Sequence, residues 1–177
     1  MVKLLLHVCC APCSTYVVEQ LKPSLAYFYN PNIHPQDEYL LRLSEFRRYA
    51  SIVGLEFIEG PYDTENWFNV IKGYEGEPEG GKRCEICYRE RIEKTALIAK
   101  ERGCTHIATT LTVGPTKKAS IINEIGERVA EVHGLKFISG DFKKRDGFKT
   151  SSQLSKEFNL YRQKYCGCIF SKKNSGT

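Results

Sequence analysis

Short apolar runs punctuate the chain, each rich in aromatic or β-branched side chains and each closed by turn formers: VKLLLHV (2–8), LAYFYN (25–30), LEFIEG (55–60), THIATTL (105–111) and LKFISG (135–140). Between them, apolar positions recur at helical spacing over 13–22, 36–53, 64–72, 84–102 and 118–133. Gly54, Gly103 and Gly134 each stand just before a run, where the end of a helix favours glycine. Strand and helix alternating at this interval predict an α/β fold: a Rossmann-like, mostly parallel sheet with helices on both faces.

In an open parallel sheet, sites lie beyond the carboxyl ends of the strands. Cys9 and Cys10 follow the first run, YNPNIHP (29–35) the second, residues 60–63 the third, and Thr109 with Thr110 the fourth. Polar and sulfur-bearing residues are therefore expected along one edge. The segment GYEGEPEGGKR (73–83) reads as a loop able to move over that edge, and from about residue 141 the chain becomes basic and serine-containing, with a helix expected at 151–160. The expected organisation is one domain over 1–177: an α/β core at 1–140 and a basic C-terminal extension at 141–177, which carries the motif CGC.

Composition sharpens the question of the sulfurs. A chain of 177 residues buries a core without cross-links, so its 8 cysteines ask for another explanation. The apolar residues 4–6 are too few for a signal peptide, His7 interrupts them, and no run approaches the ~18 apolar residues of a membrane span. A cytoplasmic protein with no membrane partner is expected, and there clustered cysteines bind metal or do redox work more often than they form bridges. With 26 Lys and Arg against 21 Asp and Glu, the net charge of +5 is compatible with a nucleic-acid partner, although ordinary surface charge gives the same balance. Position is more telling: Lys143, Lys144, Arg145 and Lys149 cluster around Phe142 and Phe148, and Lys117 with Lys118 forms a second basic pair.

HVCCAPC carries Cys9, Cys10 and Cys13; RCEICYRER carries Cys84 and Cys87 at the start of a long helix. Residues three apart share a helix face, and a helix N-terminus favours the thiolate that ligates metal. Four thiolates suit zinc or a cubane iron–sulfur cluster, and the crowded CCxxC leans towards iron and sulfur. A fifth sulfur could hold a second metal ion with Asp63 or His34, although Asp63 also reads as the cap of the helix at 64–72. Two other readings stay open: a zinc-stabilised RNA-binding adaptor, and a thioredoxin-like thiol oxidoreductase using Cys10 and Cys13, which leaves Cys9, Cys84 and Cys87 idle. Cys166 and Cys168 flank Gly167; a disulfide two residues apart is strained and reducible, so the pair is a candidate electron relay, with free thiols or further ligands as alternatives. Cys104 reads as a small buried hydrophobe.

Taken together, HVCCAPC, YFYNPNIHP, RCEICYRERIEKTA, TTLTVGPTKKASIINEIG and SSQLSKEFNLYRQKYCGCIFS resemble the cobalamin-independent epoxyqueuosine reductases of the QueH type over nearly the whole chain. Gly114 stands where that family usually has serine. The resemblance implies a Rossmann-like (HUP-like) core and the last step of queuosine synthesis, removal of the epoxide oxygen from epoxyqueuosine at the wobble position of transfer RNA. It implies a metal site built by Cys9, Cys10, Cys13, Cys84 and Cys87, holding a [4Fe-4S] cluster and an additional iron ion, with Asp63 as a further candidate ligand. Cys166 and Cys168 would form a redox-active disulfide supplied by an electron donor. Asp63, His34 and Tyr29 are candidates for the acid; Tyr29, Trp67 and Tyr161 for rings that stack on the base; and Lys117, Lys118, Lys143, Lys144, Arg145, Lys149 and Arg162 for phosphate contacts.

Overall fold

A computed structural model of the chain describes residues 3–174. Five strands, β1 (Leu4–Val8), β2 (Leu25–Phe28), β3 (Phe57–Glu59), β4 (His106–Thr109) and β5 (Lys136–Phe137), form one all-parallel sheet in the order β3-β2-β1-β4-β5. The helices are α1 (Ala11–Leu21), α2 (Gln36–Val53), α3 (Thr64–Val70), α4 (Lys82–Glu101), α5 (Ala119–Val132), α6 (Gly147–Glu157) and α7 (Ile169–Asn174). The expected alternation and doubly covered sheet are both present. Among the described residues no helix is long and apolar enough to cross a membrane.

The central strand shows why this sequence takes this form. All of β1 is buried, because successive side chains point to opposite faces and both faces are covered. Leu4, Leu6 and Val8 pack with Val17 of α1 and Leu43 and Phe46 of α2. Leu5 packs on the other face with Ile92 and Ala96 of α4 and Ile122 of α5. Each fully buried leucine contributes ~1.5–3 kcal/mol, enough to pin the register of the strand.

Several boundaries move, for local reasons. The run at 105–111 ends as a strand at Thr109, whose Oγ1 accepts the Leu111 N–H at 3.2 Å and turns the chain into a 3-10 turn, Thr110–Val113. That turn presents Thr110 at the sheet edge. The helix expected at 151–160 begins at Gly147, where the chain passes so close to Phe142 that a Cβ would lie 2.0 Å from its carbonyl oxygen. Helix α6 lies on α1, with Ser151 Oγ donating to Pro12 O at 2.5 Å. Helix α7 has no counterpart among the expected elements.

Candidate metal centre and its cavity

At the carboxyl edge of the sheet a cavity of about 410 Å³ opens, and six cysteines line it: Cys9 and Cys13 beside β1, Cys84 and Cys87 on α4, Cys166 and Cys168 on the C-terminal tail. The Sγ atoms of Cys9, Cys10 and Cys13 all lie within 4.8 Å of one another, with Cys9 and Cys10 at 3.8 Å. Among the described residues this is the only such group of three or more metal-ligating side chains. Cys10 is the cap residue of α1 in extended backbone, which folds Cys9 and Cys13 back towards each other across the start of the helix. Cys84 and Cys87 stand outside that trio, on the first turns of α4, whose N-terminus has no side-chain cap.

Donors converge on these sulfurs. Thr110 Oγ1 donates to Cys9 Sγ at 3.2 Å and accepts the Cys9 N–H at 3.1 Å. Gln163 Nε2 donates to Cys10 Sγ at 2.8 Å, the Gly80 N–H to Cys84 Sγ at 3.2 Å, and Trp67 Nε1 to Cys87 Sγ at 3.3 Å. Such bonds favour thiolate sulfur and tune a bound cluster. An all-sulfur donor set, already served by N–H and O–H groups, fits a thiolate-held iron or zinc group.

The protonation pattern follows the same geometry. Cys9 accepts from Cys10 and Cys13, which hold its thiol well below the usual range despite burial. Cys13, the donor to both neighbours, is raised well above it. Cys10 accepts from Cys13, but its bond to Cys9 and its burial push it up to about 12. Within the trio it is therefore Cys9, and not the first cysteine of CAPC, whose thiol is favoured as thiolate. Burial pushes the Cys87 thiol up as well. Burial also opposes the Arg91 charge, yet the Cys87 and Cys9 sulfurs outweigh it and raise its pKa. His7 is fully buried and lowered to about 4 by that burial and by Arg91; it bridges Thr109 Oγ1 and Tyr29 O as a neutral ring.

The other candidates divide. Asp63 is exposed, caps α3 by accepting the Asn66 N–H at 3.2 Å, and is not on the cavity wall. His34 donates from Nδ1 to Asn32 O and packs among Tyr62, Trp67 and Phe68, also off the wall. Tyr29 is buried against Tyr27, its phenol raised by burial and by Glu90. Trp67 does line the cavity, but it is fully buried and spends its N–H on Cys87; Tyr161 gives its hydroxyl to Glu38. Of the basic candidates, Lys117 and Arg162 reach the wall, Lys117 paired with Glu79 at 3.1 Å, whereas Lys118, Lys143, Lys144, Arg145 and Lys149 lie outside it. Cys104 is buried in the core beneath α4, as expected.

Three functional contacts escape sequence reasoning. The strand pattern puts Thr110 on the cysteine edge but not against a particular sulfur, and Gln163 shows no signal at all. Arg42 looks like a surface residue in a charged helix, yet it is buried, paired with Glu38 at 2.7 Å, and donates to Tyr165 O at 3.0 Å and Cys166 O at 3.1 Å. The Glu38–Arg42 spacing, one helical turn, was the only legible signal.

Comparison with known proteins places these features. Residues 4–174 match the family model described as epoxyqueuosine reductase QueH. Relatives of that name include those of Streptococcus pyogenes serotype M1, 40% identical over 98% of this chain and 71% of the relative, and Histophilus somni, 42% identical over 98% and 73%. The Thermotoga maritima relative is 39% identical over 94% of this chain and 88% of its own length. Among solved structures, the U34-tRNA thiolase NcsA from Methanococcus maripaludis with its [4Fe-4S] cluster is similar with a TM-score of 0.56 and 14% identity, covering 98% of this chain and 63% of that one, a likeness of fold. With a family model matched from β1 through α7 and identities near two in five over almost the whole chain, this protein belongs to the epoxyqueuosine reductase QueH family.

Proposed function

We propose that the chain reduces epoxyqueuosine in transfer RNA to queuosine at the cysteine-lined cavity. The observation that carries this reading is the convergence of six cysteines on one cavity in a member of this family. The reaction breaks both carbon–oxygen bonds of the epoxide, forms a carbon–carbon double bond and releases the oxygen as water, consuming two electrons and two protons.

Cys9, Cys10, Cys13, Cys84 and Cys87 are the residues that would hold a [4Fe-4S] cluster, and the sulfur left over is available to an additional iron ion. When bound, such a group supplies electrons singly and a Lewis-acidic iron. Thr110, Gln163 and Trp67 orient the sulfurs through their donors. Trp67, Ile71 and Phe170 pack around Cys87, Cys166 and Cys168 and keep water from that side.

Cys166 and Cys168 serve as the redox pair: oxidation of the two thiols to a disulfide yields the two electrons and two protons that deoxygenation consumes, and an external donor restores the thiols. Cys166 accepts from Cys168 and faces the Lys117 charge, which together lower its pKa against its burial. Asp63, His34 and Tyr29 do not line the cavity, so this reading takes the two protons from the Cys166 and Cys168 thiols instead. The wall is strongly cationic, with Arg42, Arg83, Arg91, Lys117, Arg162 and Lys164 against Glu79 alone, which suits a phosphate-bearing substrate.

The test is anaerobic purification with iron, sulfide and zinc analysis, followed by incubation with epoxyqueuosine-containing transfer RNA and a reductant. Iron and sulfide in the protein with loss of one oxygen from the nucleoside is expected. A colourless zinc protein that binds the RNA without turnover would replace the reductase by the adaptor.

A further inference from the structure

Four aromatic rings line the cavity, and three are already committed. Trp67 is fully buried and bonded to Cys87. Tyr88 is 5% exposed and lies between the Arg91 and Lys117 charges. Tyr165 donates its hydroxyl to His34 O and stacks near Arg42. The fourth, Phe148, is 39% exposed, and no other ring lies beside it among the described residues. The exposed part of this ring is apolar surface that a ligand entering the cavity would take out of water.

Its surroundings say what the contact is. Phe148, Ser151, Ser152 and Ser155 occur at i, i+3, i+4 and i+7 of α6, one helix face, and all four line the cavity. The start of α6 is held close against Phe142 and Tyr16 at Gly147, so the ring is carried on a fixed support. The tail brings the exposed cations Arg162 and Lys164 to the same wall, Arg162 donating to Ser152 Oγ on this face of α6. A free ring flanked by unneutralised cations is the combination with which proteins bind unpaired nucleotides: the ring takes the face of a base and the cations take the phosphates. A membrane or an apolar peptide would not call for the cations.

We propose that Phe148 is the platform on which a nucleobase adjoining the modified one stacks as the RNA enters the cavity. The proposal rests on the reductase reading above and adds the residue that grips the substrate strand. Phe148 replaces Trp67, Tyr29 and Tyr161 in that role, because those three are buried or engaged.

The experiment measures binding of the reconstituted protein to an unmodified anticodon stem-loop RNA and to the same RNA with an abasic site beside the wobble position. F148A is expected to bind the intact RNA ~5- to 100-fold more weakly, with F148W restoring affinity and F148L failing to. On the abasic RNA the difference between F148A and wild type should vanish. The slope of affinity against salt should be unchanged in F148A, which loses no charge, and shallower in K164A. Iron and sulfide per chain, unaltered in F148A, confirm an intact centre. F148A within twofold of wild type, or an equal loss on abasic RNA, would overturn the role of Phe148 alone. Failure of the wild-type protein to bind either RNA would overturn the RNA substrate and this inference with it.

Discussion

Replacing Arg42 by methionine should loosen the segment that carries the redox pair while leaving the core folded. The guanidinium donates to Tyr165 O and Cys166 O, and it is paired with Glu38, which keeps a second partner in the Tyr161 hydroxyl at 3.0 Å. A hydrogen bond from a charged group contributes about 1.5–3 kcal/mol, so losing both carbonyl contacts removes roughly 3–6 kcal/mol of the tail's attachment. Methionine keeps most of the packing volume, so the loss falls on the tail and not on the hydrophobic face of α2. The amide to watch is His34, whose N–H donates to Gly167 O at 2.8 Å and therefore exchanges only when the tail lifts. Hydrogen exchange at His34 should accelerate roughly a hundred- to ten-thousand-fold, since each 1.4 kcal/mol is about tenfold. Thiol labelling of Cys166 should accelerate with it, because its thiol is held low by the bond from Cys168 and the Lys117 charge. Unchanged exchange at His34 together with unchanged labelling of Cys166 would refute the view that Arg42 anchors the tail.

Cys84→Ser should abolish both metal retention and turnover, whereas Cys104→Ala should keep the full metal content at a cost of about 1 kcal/mol in stability, both read by metal analysis and denaturant titration. Trp67→Phe keeps the ring but removes the donor to Cys87 Sγ; iron content should hold while the midpoint potential moves to more negative values in a redox titration. In the metal-free protein, His7 drops from 6.5 to about 4 on folding, so the unfolded chain binds more protons in that window and stability falls as pH is lowered from 6.5 towards 4, by up to about 3 kcal/mol. His7→Gln should flatten that part of the stability curve, and an unaltered curve would remove the buried neutral histidine from the account.

How much was legible can be traced element by element. The hydrophobic period disclosed all five strands and the helices α1 to α5, because a strand covered on both faces must be continuously apolar and a helix must turn one stripe inward. It overran the strands at 105–111 and 135–140, since Thr109 Oγ1 accepts the Leu111 N–H and turns the chain out of β4, and β5, at the sheet edge, pairs with β4 over two residues only; neither is written in hydropathy. The tail was harder: α7 is six residues long and α6 starts four residues early at a close backbone approach, both decided by what the segment lies against.

By itself the sequence determined the parallel α/β plan, the sulfur-bearing edge and the two cysteine groups, because strand order and crossover geometry leave little choice about where strand ends face. Only the tertiary structure decided which polar residues reach that edge. It chose the cap over the ligand for Asp63, of the two roles the sequence offered, held His34 and Tyr29 behind the wall, and brought Gln163, Arg42 and Phe148 from distant parts of the chain to serve sulfur, tail and cavity. Periodicity records whether a residue is inside or outside, whereas a contact between residues a hundred or more positions apart depends on how finished elements pack, and no local pattern carries that information.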